Sequence, residues 1–163
     1  MEKSQFVQLI NDNKGTIRSL CQVYFDSCED QKDAFQDIVL QLWKSLDSFK
    51  GASKVNTWIY RVSLNTILTK KRKDTKSVSA QPIEMVHTNI SAANADDNLE
   101  LLHILIRSLK DLDKGIVLLY LEGYKTKEIA EILKLSTSNV TTRFNRLKSE
   151  LKVKLNPRTH VTK

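Results

Sequence analysis

Between about Asp74 and Asn98 the apolar periodicity that runs through the rest of the chain disappears, and this break limits the possible folds more than any other feature. The stretch is rich in Ser, Thr, Asn, Ala and Asp, contains Pro82, and holds only scattered apolar residues. Such a composition buries too little apolar surface to offset the entropy of ordering, so residues 74–98 read as a flexible linker. A structureless loop of this length is rare inside one compact domain, which predicts two domains, 1–73 and 99–163. Fully extended, the linker spans at most about 80 Å, and as a coil its ends average roughly 25 to 30 Å apart. Either distance lets two domains reach separate sites on one large partner.

Both flanks carry a helical period. Phe6, Val7, Leu9 and Ile10 begin one helix, and Ile17, Leu20, Cys21, Tyr24 and Phe25 continue it after Gly15. Ala34, Phe35, Ile38, Val39, Leu42, Trp43 and Leu46 recur as one buried stripe. After a short loop around Gly51, Val55, Trp58, Ile59, Val62 and Ile67 form another. Beyond the linker, Leu101, Leu102, Leu105 and Leu109 face one way, and Asp113 is placed to cap a helix through Ile116, Val117, Leu119 and Tyr120. Gly123 sits where a helix end favours a left-handed residue. With two prolines, four glycines and no sustained alternation, sheet has little support. The expected fold class is all-α, two small helical domains joined by a flexible linker.

The formal net charge of +7 permits nucleic acid, an acidic membrane surface or an acidic protein as partner, and its distribution is more telling than its size. Residues 1–47 hold five basic and eight acidic side chains, residues 48–76 eight and one, residues 77–100 none and four, and residues 101–163 thirteen and six. The positive charge thus falls in two blocks, one per expected domain. Cys21 and Cys28 form no C-x-x-C, and His87, His103 and His160 lie far from them, so neither a metal site nor a cofactor is expected. Cys21 lies on an apolar helical face and reads as a reduced core thiol. Without a signal-peptide core or an apolar run near the roughly 18 residues of a membrane span, a cytoplasmic location is expected.

Residues 125–151, KTKEIAEILKLSTSNVTTRFNRLKSEL, have the pattern of a helix-turn-helix. Ile129, Ala130 and Leu133 face inward on the first helix, Leu135 fills the turn, and Ser136 caps a second helix whose inward stripe is Val140, Phe144, Leu147 and Leu151. Ser138, Asn139, Thr142, Arg143 and Arg146 are left on other faces, and these types hydrogen-bond base edges and phosphates in the major groove. Two positions depart from the common pattern. Lys134 occupies the turn position where Gly is commonest, at a cost on the order of 1 kcal/mol if its backbone is left-handed. Lys125 stands where a capping Ser is usual, with Thr126 beside it as an alternative cap. In the other basic block, residues 49–73, aromatics and amides are interleaved with Lys and Arg, a mixture suited to single-stranded nucleic acid. Trp58 lies on the apolar stripe and reads as core, Phe49 and Tyr60 remain open, and Lys70–Lys73 could equally be a solvated helix end.

Taken together, the two blocks resemble the extracytoplasmic-function group of sigma-70 family sigma factors. Residues 33–62, DAFQDIVLQLWKSLDSFKGASKVNTWIYRV, are similar to their region 2 in Asp33, Gln36 and Asp37, in the Leu42-Trp43 pair, in Phe49 to Gly51, and in Thr57-Trp58. Residues 109–148 are similar to region 4, and the domain order and linker also correspond. The resemblance implies core RNA polymerase as partner, through the coiled coil of its largest subunit and the flap of its second-largest subunit. It further implies promoter DNA, read as a melted single strand at the −10 element and as duplex at the −35 element, and an anti-sigma factor. By position it assigns Asp33, Gln36, Asp37 and Gln41 to polymerase; Lys50, Ser53, Lys54, Asn56, Arg61 and Asn65 to −10 DNA; and Ser138, Asn139, Thr142, Arg143 and Arg146 to −35 DNA. No catalytic residue is implied, because polymerase supplies the chemistry. The strongest alternative is an ordinary helix-turn-helix regulator, which would leave the first basic block without a purpose. An enzyme is the more distant one, since no nucleophile-base pair or Gly-rich phosphate loop is present.

Overall fold

The computed structural model describes residues 2–77 and 95–155. Helix α1, Lys3–Tyr24, runs unbroken through Gly15 and buries Phe6, Ile17, Leu20, Cys21, Val23 and Tyr24. Ser27 stops the chain and restarts it: its hydroxyl accepts from the Asp30 amide at 3.0 Å, and Glu29 and Asp30 fill the first turn of α2, Cys28–Ser45, where the helix dipole favours acids. A 3₁₀ turn, Leu46–Ser48, and a loop in which Gly51 takes φ 74° lead into α3, Val55–Ser77. These three helices close around Ile17, Ile38, Leu42, Ile59, Leu64 and Ile67, none of which exposes any surface. Each such burial contributes about 1.5–3 kcal/mol.

The second unit comprises α4 (Ala95–Arg107), α5 (Asp111–Leu121), α6 (Thr126–Leu133) and α7 (Thr137–Leu155). Ile116, Leu119, Ile129, Ile132, Val140 and Leu147 fill its core, and Gly123 ends α5 in the left-handed conformation, φ 86°, as its position predicted. The fold is therefore all-α as expected, with no strand among the described residues. Cys21 is buried, and burial pushes its thiol up to about 11, consistent with a core residue, whereas Cys28 is exposed.

The ends of the expected linker are helical. Residues 74–77 continue α3, where the cations of its last turns complement the helix dipole and the Thr75 hydroxyl donates to the Lys71 carbonyl at 2.7 Å. Residues 95–98 open α4 with the Asp and Asn types that favour helix starts. The rest of the linker lies outside the described residues. Two cap assignments also change. Asp113 does not cap α5, which starts at Asp111; Asp113 is 3% exposed inside the first turn because its carboxylate faces α7 instead. Helix α6 starts after Lys125, whose amide donates to Glu128 at 2.8 Å, while the Thr126 hydroxyl pairs with that of Tyr120 at 2.6 Å.

The two units pack on one another through α4, α5 and α6, with α5 nearest Tyr24. The buried Tyr24 hydroxyl donates to the Asp111 carbonyl at 2.8 Å, and Lys114 Nζ lies 5.4 Å from the centre of the Tyr24 ring. A Cβ at Gly115 would stand 3.2 Å from that hydroxyl and 3.5 Å from Leu133, so glycine permits this close approach. Burial, helped by the Asp111 charge, raises the Tyr24 hydroxyl pKa and keeps it a neutral donor. Arg107 pairs with Asp26, and Tyr60 meets Tyr124 edge-on with ring centres 5.7 Å apart.

Lys134 has φ 56° and ψ 46°, the strained left-handed turn its position suggested. Lys134→Gly should raise the unfolding free energy by up to about 1 kcal/mol, read as a higher urea midpoint at unchanged slope; a lower midpoint would show that the lysine side chain contributes more than the strain costs.

Candidate nucleic-acid interfaces

The first basic block forms a cleft of about 990 Å³ between α2, the α2–α3 loop and α3. Phe49 and Trp58, stacked with ring centres 4.9 Å apart, are among its walls, so Phe49 supports Trp58 within this wall. Lys50, Ser53, Arg61 and Asn65 line it as well, which brings together four of the six residues assigned to single-stranded DNA. Lys70, Lys73 and, from the second unit, Lys134 add cations around it. Arg61 lines the cleft while its Nε is buried without a hydrogen-bond partner among the described residues, a condition that costs about 1–3 kcal/mol.

Lys54 and Asn56 fall elsewhere. They line a smaller cleft of about 320 Å³ between the two units, opposite Glu122 and Glu128. Tyr60 lines it too beside Glu122 but is buried, so it offers no open ring for a base. Burial above all, then the neighbouring Glu122 carboxylate, raises its pKa.

The residues assigned to polymerase lie along α2. Asp33, Gln36 and Gln41 are exposed, whereas Asp37 is half-buried and pairs with Lys70 at 2.8 Å. This bond raises the Lys70 pKa against the opposing effect of burial. With both partners partly exposed, the pair is worth about 0.2–1 kcal/mol. Asp37 and Gln41 also line the large cleft, so two assignments that the sequence kept apart share one wall. Lys70 is thus more than a solvated helix end. Only the fold could show this, because its partner is 33 positions away. Beside these residues, Trp43 is 45% exposed and meets Phe6 edge-on at 4.9 Å, which leaves an apolar surface next to the polar one.

In the second unit the helix-turn-helix forms as its pattern predicted. Ser136 Oγ accepts from the Asn139 amide at 3.1 Å and caps α7; Val140 and Leu147 are buried, with Phe144 and Leu151 packed against the core. Ser138, Asn139, Thr142 and Arg146 are exposed and Arg143 partly so, all on one helix. Arg143 and Arg146 are not free cations, however. Their guanidinium groups reach Asp113 at 2.9 and 3.1 Å. Sequence reasoning missed Asp113 because a capping role accounted for it locally. A spare acid on a short helix next to two arginines of a recognition helix was the available signal.

No described helix is long and apolar enough to cross a membrane. Among the described residues no group of His, Cys, Asp and Glu could hold a metal ion.

Two family descriptions match this chain: Sigma-70 region 2 over residues 9–77 and Sigma-70 region 4 over residues 99–151. The chain is similar to the ECF RNA polymerase sigma-E factor of Haemophilus influenzae, 28% identical over 96% of this chain and 90% of that one. It is also similar to the protein of the same name from Escherichia coli K12, 26% identical over 96% and 89%. In fold it resembles the sigma factor RpoE solved with the anti-sigma factor NepR from Bartonella quintana, with a TM-score of 0.68, 17% identity, and coverage of 96% and 99%. It likewise resembles CnrH solved with the cytosolic domain of CnrY, with a TM-score of 0.65, 20% identity, and coverage of 97% and 92%.

Ser136→Ala should cost about 1 kcal/mol by removing the α7 cap, measured by urea unfolding, and an unchanged midpoint would show the cap to be energetically idle.

Proposed function

Because the chain belongs to the sigma-70 family, as an initiation factor of the extracytoplasmic-function group that directs RNA polymerase to promoters, we propose a division of labour between its two units. The first, built on residues 1–73, binds core polymerase and takes up the −10 element as a melted single strand. The second, residues 99–163, reads the −35 element as duplex, and residues 74–98 link the two. The observation that carries this reading is the contrast between the sites: a wide, cation-lined cleft walled in part by the stacked rings of Phe49 and Trp58, against an exposed, capped helix presenting short polar groups and arginines.

Each chemistry suits its target. A cleft with Lys50, Ser53, Arg61 and Asn65 on its walls admits a flexible strand whose bases are unstacked. Lys54 and Asn56, in the separate smaller cleft, would meet the strand only if it runs beyond the large one. Helix α7 is long enough to lie in a major groove, with Ser138, Asn139 and Thr142 near its N-terminus, the part that contacts base edges in this motif. Asp33, Gln36 and Gln41 form the polymerase-facing side of α2, with Asp37 held from beneath by Lys70. Further partners are the coiled coil of the largest polymerase subunit, the flap of the second-largest, and an anti-sigma factor, the last supported by the sigma factor of like fold solved with the anti-sigma factor NepR. The protein supplies recognition and no chemistry of its own, and it acts in the cytoplasm.

Run-off transcription with purified core polymerase on a promoter panel tests the assignment: specific transcripts appear only when this protein is added, and transcription that is only repressed would favour the ordinary regulator. Asp33→Lys should weaken co-elution with core polymerase while leaving the fold intact. For the division of labour, Asn65→Ala should reduce holoenzyme binding to single-stranded −10 DNA and spare the −35 duplex, and Asn139→Ala should do the opposite. Equal defects from both on both DNA forms would show the labour to be divided otherwise.

A further inference from the structure

We propose that Asp113, a residue that can touch no DNA, is a positioning residue that sets how the recognition helix presents its arginines, an inference that rests on α7 being the −35 reader. The carboxylate is 4% exposed, and both of its oxygens are engaged: Oδ1 accepts from Arg143 Nη1 at 2.9 Å and Oδ2 from Arg146 Nη2 at 3.1 Å. One acid on α5 thus spans one turn of α7. The network continues outward by a hydrogen bond on one side and an ion pair on the other. Arg143 Nε donates to Asn139 Oδ1 at 2.8 Å, and Arg146 Nε lies 3.7 Å from Glu150 Oε1. Arg143 therefore commits Nε and Nη1 to the protein and Arg146 commits Nη2, with its Nε near the Glu150 charge, which leaves Nη2 of Arg143 and Nη1 of Arg146 without a partner among the described residues.

Three consequences follow from this wiring. Arg143 cannot offer the side-on fork of Nε with Nη2 that grips two acceptors at once, because Nε is held by Asn139. Asn139, with its oxygen turned to Arg143, presents its amide N–H groups outward and reads as a donor to base acceptors. The charges of Arg143, Arg146, Asp113 and Glu150 also cancel, so this stretch of the helix adds little sequence-independent attraction to phosphate. Asp113 thereby exchanges general affinity for a fixed arrangement of donors.

The test uses holoenzyme made with the full chain. Wild type first selects a preferred −35 sequence from a pool of random duplexes, and binding to that duplex and to a scrambled duplex of equal length is then followed against salt. Asp113→Asn keeps the shape but frees arginine charge. Discrimination between the two duplexes should fall about five-fold or more, while the scrambled duplex binds more tightly and its salt dependence steepens by about one phosphate contact. A purely structural loss would weaken both duplexes and leave the slope alone, so that result overturns the proposal. Asp113→Glu, which restores the charge, should return the slope to that of wild type. Should Asp113→Asn not fold, Arg143→Lys serves instead: the ammonium can still pair with Asp113 but cannot hold Asn139, so preference should drop with the slope unchanged, and retained preference is the contrary result. If wild type selects no sequence at all, the −35 reading of α7 fails, and this proposal with it.

Discussion

Helix α5 is the element on which both halves of the molecule depend, because each of its faces is committed to a different neighbour. Tyr24 from α1 reaches its first turn with a 2.8 Å hydrogen bond to the Asp111 carbonyl, satisfying a buried hydroxyl that would otherwise be costly. One turn on, Gly115 lets Tyr24 and Leu133 approach the α5 backbone together. Between these two points Asp113 turns away from Tyr24 towards α7. A helix of eleven residues therefore joins the first unit to the second and holds the recognition helix in place.

Electrostatics is organised around the same division. The first unit keeps its cations open around a cleft, with one of them, Lys70, tied to Asp37. The second unit compensates its arginines from inside, and the α5–α6 turn sets Glu122 and the start of α6 sets Glu128 opposite Lys54 and Asn56. A site that must take up a flexible, highly charged strand gains from uncompensated charge, since counterion release drives such binding. A site that must tell one duplex sequence from another gains from donors fixed in place, since general attraction favours every sequence alike. The same residue types, arginine and lysine, serve both purposes. What differs is whether an acid stands behind them.

The sequence by itself determined the all-α class, because period and punctuation act locally. Ser27 and Ser136 each cap the helix that follows them, Gly123 closes α5, and the stripe through Ile38 and Leu42 can be buried only on a helix. It also determined the inward residues of the helix-turn-helix and, through resemblance, the family. Tertiary structure alone decided the partnerships between distant charges. Asp37 meets Lys70 across 33 positions, and Asp113 meets Arg143 and Arg146 across 30 and 33, distances at which spacing carries no signal. It decided that Tyr60 is covered by the second unit and that Lys54 and Asn56 lie in a different cleft from Lys50 and Arg61. The physical reason is the same in each case: a hydrogen bond to the next turn depends on neighbours along the chain, whereas the partner of a buried charge depends on which helices the apolar core has already brought together.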